Sequence, residues 1–593
     1  MRSAWIAVWN GSRDLTAKAH QALRSTADLH PDLSSEVALH HAGPAWCSAL
    51  GAPGAGAVHL TAPDGVLAVV DGLAVTSAGL VLTAEAVATA GLGDPAHLEG
   101  QFGVVRCTPD SIEVANDAFG MRQVFAWERG RCRVLASSVE LISRTVDGAL
   151  DEESVGLYVA IGWVPGDRTL VRGVTLLPGG RHDRHDGTGD RRGSHFRRAS
   201  LAGRRRWRSR PMAVAEPLEA QLRALASHAG SLYVPLSAGM DSRLIAALVT
   251  HADVPAAYYT VGSPDSPDAR TAPELASAVG AEHHFYRQTA EDIVSWWPRN
   301  IERYVAQNDG MTSMWVMGDQ VGAERIAAHG GVVPQGVAGE LARWNSWSAR
   351  SLYRPGRKRS AAFLLRRTEK IGITKPPVLQ GATSFVDQFL TEALDEGFPP
   401  RDLEMVWRLS ERHRRWGGAN NRKLSNLFDV YTPLSTRPFV EAAFQVQPDR
   451  GVGDPIHHEL IRRLAPPLYA IPPEQGHWPV QVPLAGRVVD RVRARRRPVG
   501  PSRSTGLHGQ HLWLDRLRHQ VLARHFDGRS SVVWEVVDRG KVEQVLRDDG
   551  PSQRRRGATA LLALVTVLEY EHWRATAGAR SLVASPAASE TSG

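Results

Sequence analysis

Over the first 145 or so residues the apolar positions come in short alternating runs separated by Gly, Pro and Asp: VHLTAPDG, VLAVVDGLAVT, FGVVRCTPDSIEVANDAFG and QVFAWERGRCRVLASS. Runs of this length broken by turn residues predict antiparallel strands of a sheet-rich domain in which helices are the minority. From Arg181 to Arg210 the alternation gives way to RHDRHDGTGDRRGSHFRRASLAGRRRWRSR, dense in Arg and poor in aliphatics. Such a run offers too little apolar surface to order itself, so it reads as an inter-domain linker or exposed loop, with an arm contacting peptide or nucleic acid as the sharper alternative. After Pro211 helical periods alternate with short β-rich runs: LEAQLRALASHAG before SLYVPLS, and RLIAALVTH before AAYYTVG. That alternation predicts a parallel α/β sheet, followed from about Asp402 by a long helical tail. The expected organisation is therefore an antiparallel domain over 1–180, a linker over 181–210 and an α/β domain over 211–593, with no internal repeat.

Length and composition narrow the classes. At 593 residues, with 43% hydrophobic and 22% charged positions, the chain is neither a small stapled scaffold nor disordered, collagenous or fibrous. The net charge of +8 raises the question of an anionic partner. Lysine, however, stands only at 18, 358, 370, 375, 423 and 541, so the basic residues are nearly all Arg, the bias of a GC-rich coding sequence rather than of a nucleic-acid surface. Three cysteines, Cys47, Cys107 and Cys132, form no CxxC pair and argue against a disulfide framework or a zinc site, which fits a reducing cytoplasm. The start, MRSAWIAVWNGSRD, has no apolar signal core, and the apolar stretch Ala558–Leu568 ends in acidic residues, so it is expected to be a buried helix rather than an anchor.

The most informative segment is YVPLSAGMDSRLIAALV, residues 233–249, in which a β-rich run meets Ser237-Ala238-Gly239-Met240-Asp241-Ser242 and an apolar helix begins. Small residues at 237–239 let backbone amides approach a polyphosphate, the Ser237 and Ser242 hydroxyls can donate to it, and the helix N-terminus adds its dipole. Asp241 is placed to ligate Mg²⁺ bridging the phosphates. A strand-to-helix turn without ligand function is the plainer reading.

SAGMDS resembles the SGGxDS pyrophosphate loop of the PP-loop ATP pyrophosphatases, which cleave ATP to AMP and pyrophosphate while adenylating an oxygen. Further landmarks resemble the asparagine synthetase family. Leu98–Ile142 carries an L-x-G-x-F, a D-x-x-G and an A-S-x-x-E like those of its glutaminase domain. YVAIGWVPGDRTLVRGVTLLPGG is similar to its connector, and the run from Tyr431 to Val440 is similar to its R-x-P-F-L-D segment. The resemblance implies an Ntn-hydrolase-like antiparallel sandwich followed by a parallel ATP-pyrophosphatase domain, with ATP and Mg²⁺ as cofactors. It also implies Leu236, Ser237, Ala238, Gly239, Asp241, Ser242, Val261, Gly262 and Gly336 around the nucleotide, adenine lying against the backbone of Leu236 and of Thr260–Gly262.

The chain also departs from that family. The glutaminase works through an N-terminal cysteine, whereas this chain begins Met1-Arg2-Ser3, and Arg2 disfavours methionine removal. The first domain is then expected to be a relic that supplies no ammonia, with the amine brought by the substrate. Lasso peptide cyclases and the β-lactam and carbapenam synthetases share this loss. In the family's second Mg²⁺ motif, here Gln335-Gly336-Val337-Ala338-Gly339-Glu340-Leu341, glycine stands at the aspartate position, which leaves Glu340 to serve the metal beside Asp241. The late lysine of the β-lactam formers falls near Glu474, and no lysine lies between 424 and 540. The favoured reading is therefore a lasso peptide macrolactam synthetase: an Asp or Glu side chain of a core peptide is adenylated and captured by the peptide's N-terminal amine. Under it Glu411 takes the amine proton, Arg412 (or Arg343 or Arg437) supplies a cation, and Asp309, Trp344 and Trp416 contact substrate. A leader-binding protein and a leader peptidase are the implied partners, and no membrane is. The rivals are a small-molecule cyclase, a glutamine-independent amide ligase, a peptide-binding scaffold without ATP, and a tRNA-modifying PP-loop enzyme.

Overall fold

Strand β1 (Ser3–Trp9) shows how the first domain is assembled: Trp5, Ala7 and Trp9 point into one apolar layer, Ala4, Ile6 and Val8 into another, and all seven residues are buried. A strand covered on both faces belongs inside a multilayer stack. The computed structural model describes residues 3–30, 33, 35–39, 43–52, 57–61, 65–203, 212–342, 356–365, 370–446, 454–473, 510–526, 530–548 and 550–583.

The strands, numbered in chain order, form three sheets. One antiparallel sheet contains β1, β2 (Ser35–Leu39), β3 (Ala45–Gly51), β8 (Phe125–Arg129), β9 (Cys132–Ala136) and β10 (Val174–Leu176), in the order β10-β8-β9-β1-β3-β2. The second contains β4 (Val58–Thr61), β5 (Val66–Thr76), β6 (Leu98–Thr108), β7 (Ser111–Asn116), β11 (Arg181–Asp186) and β12 (Gly189–Ser194), in the order β12-β11-β7-β6-β5-β4. Trp5, Trp9 and Cys47 of the first sheet meet Leu67, Val69, Val105 and Ile112 of the second, which makes a sandwich. Helix Ala84–Ala90 covers its outer face on one side. Helices Arg13–Ala27, Val139–Thr145 and Pro551–Val583 cover the other.

Over residues 181–194 the Arg-rich run is not a linker. Residues 181–186 and 189–194 are a hairpin added to the sheet edge beside β7. The backbone ladder supplies the order that aliphatic burial does not, and nearby acids neutralise the cations: Arg192 Nη2 lies 2.7 Å from Glu128, Arg181 Nε 2.8 Å from Asp183, and Arg184 Nε 2.9 Å from Asp186. A short turn, Arg198–Leu201, follows the hairpin, and residues 204–210 lie outside the described residues.

The second domain carries a five-stranded, wholly parallel sheet, β13 (Leu232–Pro235), β14 (Ala256–Gly262), β15 (His283–Arg287), β16 (Val332–Pro334) and β17 (Asp429–Tyr431), in the order β15-β14-β13-β16-β17. Helices Met212–Ala229, Met240–His251 and Pro267–Ala278 bury their apolar faces against it. The tail expected to be helical from Asp402 thus also contributes the last strand, too short at three residues to leave a periodic signal. Ala558–Leu568 is part of the buried helix Pro551–Val583, and no helix among the described residues is long and apolar enough to cross a membrane.

The domains interlock through family-like landmarks. Gly100 of L-x-G-x-F has φ +134, and a Cβ there would lie 2.3 Å from the Leu73 carbonyl oxygen and 2.9 Å from the Tyr431 ring. Beside it, Gln101 exchanges hydrogen bonds with the Thr432 backbone at 3.1 and 2.6 Å, and Glu99 holds Arg437 Nε at 2.8 Å.

Candidate functional site

Because all five strands of the second sheet run parallel, the loops after β13, β14, β16 and β17 emerge at one edge, where ligands bind in open α/β sheets. Residues 236–239 lead from β13 into helix Met240–His251, whose N-cap is Gly239; no side chain caps it, which leaves its first turn turned toward the site. The loop is tied by its own serines: Ser237 Oγ and Ser242 Oγ are 2.7 Å apart, Gly239 N donates to Ser237 Oγ at 3.1 Å, and Ser237 N donates to Ser242 Oγ at 3.1 Å. Ala238 N donates to Asp268 Oδ1 at 2.8 Å. Leu236 is bound at both ends, its N–H to Tyr259 O at 2.8 Å and its carbonyl to Thr260 Oγ1 at 2.7 Å. Val261 and Gly262 end β14 on the same edge.

Gly336 comes against the loop, where a Cβ would stand 2.9 Å from Asp241 Cβ and 3.3 Å from Ser242 N. Its turn includes Ala338 at φ +79, left-handed backbone rarely held by alanine. At Gly339 a Cβ would lie 2.2 Å from Asp241 Oδ1, so glycine here makes room for the Asp241 carboxylate. That same oxygen is 2.9 Å from Nε2 of the wholly buried His457, whose Nδ1 is 2.6 Å from Asp454 Oδ1. Burial opposes charging the ring, but the Asp454 and Asp241 carboxylates outweigh it and push the imidazole up to about 9. His457 is therefore a cation at neutral pH.

Glu340 faces a second set of cations. From Leu403 to Ser425 the chain is one helix whose stretch Arg408–Gly417 winds as a π-helix, and its wider turn brings Arg408, Arg412 and His413 onto this acid. Arg412 pairs with Glu340 directly, Arg408 Nη1 lies 3.5 Å away and His413 Nε2 3.8 Å. Burial lowers His413 to about 4, so it stays neutral. The magnesium pair expected of Asp241 and Glu340 is thus not assembled, each carboxylate being matched by protein cations. Among the described residues no group of three His, Cys, Asp or Glu side chains forms a metal site. Gly339 leaves the space in which the Asp241 carboxylate lies beside His457.

Residues 213–329, the stretch that carries this loop, match the family model for asparagine synthase. That stretch is similar to asparagine synthase. No curated protein matches. Among solved structures, the glutamine phosphoribosylpyrophosphate amidotransferase of B. subtilis aligns at 10% identity over 48% of this chain and 81% of that one, with a TM-score of 0.22. A structure described as the allosteric regulatory enzyme of purine biosynthesis aligns at 11% identity over 48% and 80%, with a TM-score of 0.20. Scores this low carry no argument about fold.

Other expected residues fall elsewhere. Asp309 holds no substrate: fully buried at φ +53, it accepts from Ser138 Oγ at 2.6 Å, Val139 N at 2.9 Å and Glu140 N at 3.2 Å, and pairs with Arg422. It joins the A-S-x-x-E landmark to the second domain. Glu411 points away from Glu340 and accepts from Gly166 N at 3.0 Å; burial raises its carboxyl above the usual range. Arg437 is committed to Glu99. Trp416 stays at the site, with the Arg412 guanidinium 4.8 Å over its ring. Trp344, Arg343 and Glu474 lie outside the described residues. His457, Asp454 and Asp268 were missed. The D-x-x-H spacing of Asp454 and His457 at a helix start was the available signal for the first two, whereas Asp268 looks like an ordinary acid in the first turn of its helix.

In the first domain, the Ser3 hydroxyl donates to Asp71 Oδ1 at 3.2 Å, and Asp71 pairs with Arg122. All three are buried. A serine donating to an ion-paired carboxylate is not an activated nucleophile.

Proposed function

We propose that this protein is an ATP-dependent amide-forming ligase of the asparagine synthase type, acting as a peptide macrolactam synthetase. The observation that carries the reading is the Gly239-capped helix at the C-terminal edge of a parallel sheet, inside the segment that matches the family. Its first turn, with Ser237, Ala238 and Ser242, is where phosphates would bind, next to Val261, Gly262 and Gly336. A substrate carboxylate oxygen attacks the α-phosphorus and pyrophosphate leaves; the amine nitrogen then attacks the acyl carbon, AMP leaves, and the amine proton passes to solvent or a base. The residues described do not fit Mg²⁺ at Asp241 and Glu340, and no step is assigned to it. Arg412 and Arg408 are the cations beside the loop, held by Glu340. The buried Ser3–Asp71–Arg122 cluster favours an amine that arrives with the substrate, hence ring closure, in which effective concentration does much of the work. On this reading a leader-binding protein and a leader peptidase act alongside it.

The test is incubation of the purified protein with ATP and a leader-free core peptide. A product lighter by one water, formed with AMP and lost in Ser242→Glu, which puts a charge where the phosphates would bind, is expected; ADP formation, or full activity of Ser242→Glu, refutes the reading.

A further inference from the structure

A cavity of about 370 Å³ opens beside Arg412, where helix Glu152–Ile161 ends, the Met314–Val316 turn passes and helix Pro551–Val583 begins. Its walls include three indoles, Trp163, Trp315 and Trp416, and three cations, Lys370, Arg412 and Arg556; no acidic side chain lines it among the described residues. Lys370 and Arg556 are exposed, and neither forms an ion pair among the described residues. Arg412 is the link to the phosphate loop: it stacks on Trp416 at 4.8 Å and pairs with Glu340, the neighbour of Gly339.

Unmatched cations around aromatic walls select an anion that carries an apolar body. We propose that this cavity binds a carboxylate of the acyl-donor peptide, other than the one activated, together with an adjacent aromatic or aliphatic side chain. Lys370 and Arg556 would take the carboxylate and the indoles the apolar group. The inference rests on the amide-ligase reading for the word donor, but the binding itself does not need ATP turnover. It makes the substrate an acidic, apolar-flanked peptide rather than a small amino acid derivative.

The experiment titrates the full-length protein, without ATP, with an acetylated and amidated pentapeptide bearing Phe-Asp at its centre, and separately with its Phe-Asn and Phe-Lys counterparts, following indole fluorescence. The Phe-Asp peptide is expected to bind about fivefold more tightly than Phe-Asn, the preference that ion pairs to exposed cations give. Lys370→Glu and Arg556→Glu, both at exposed positions, should abolish that preference and admit the Phe-Lys peptide, while a fluorescent ATP analogue binds them as it binds the unaltered protein. Equal binding of Phe-Asp and Phe-Asn, or a preference that survives both substitutions, overturns the proposal. So does binding of single-stranded RNA, lost on the same substitutions, in place of peptide. Loss of ATP turnover with the peptide preference intact refutes the ligase reading and leaves the cavity assignment standing.

Discussion

Replacing Asp309 by Asn separates the structural role found for this residue from the substrate contact anticipated for it. Asn tolerates the φ of +53 and keeps one carbonyl acceptor, but removes the charge that faces Arg422. Arg422 is only 5% exposed, so it becomes a buried cation without its carboxylate. Breaking such a pair from one side costs about 3–5 kcal/mol. The carboxylate oxygens also accept from Ser138 Oγ, Val139 N and Glu140 N, and turning one oxygen into an amide donor sets it against donors. The expectation is a loss of about 3–5 kcal/mol in urea unfolding followed by the fluorescence of the 17 tryptophans. Adding Arg422→Met should restore part of it, since removing both charges eliminates the orphan. A change under about 1 kcal/mol, with weakened substrate affinity instead, refutes the assignment.

Two further expectations follow from the neighbourhood of Asp241. The His457 ring rises from 6.5 to about 9 in the folded protein, worth about 3 kcal/mol that is fully present below pH 6.5 and lost as pH rises through about 9. His457→Gln should therefore be less stable than the unaltered protein at pH 6 and no less stable at pH 10; a stability gap independent of pH contradicts the pairing. In Gly339→Asp the new Cβ forces Asp241 away from its 2.2 Å position, costing about 1–3 kcal/mol, and sets two carboxylates side by side. Added Mg²⁺ should raise the melting temperature of this variant and leave that of the unaltered protein unchanged; equal stabilisation of both would show that the metal site is already complete.

Elements with long periodic runs could be read before any coordinates: VLAVVDGLAVT is β5, RLIAALVTH lies in the loop helix, and SAGMDS does join strand to helix at the sheet edge. What escaped had no periodic or compositional sign. The Arg-rich 181–194 hairpin is ordered by ladder bonds and by acids from β7, β8 and its own strands, a property of pairing rather than of composition. Asp309 sits in an ordinary Asn-Asp-Gly turn, and only the fold brings Ser138 and Arg422 to it across 171 and 113 residues. Glu411 and Arg412 are adjacent in sequence, and the π-helical winding decides that one faces the first domain and the other Glu340. The glycine at 339 was visible as a substitution, but its consequence needed a histidine 118 positions later.

The interlocked seam gives the first domain a structural role. Glu99, Gln101 and Ser138 belong to it, yet their partners are Arg437, Thr432 and Asp309, and Tyr570 of the last long helix donates at 2.7 Å to its Glu140. Severed from that half, the second domain would expose half-finished charge pairs along one flank and lose the floor beneath its closing helix. The antiparallel domain is a buttress, and mutations are free to change it only as long as they spare its masonry.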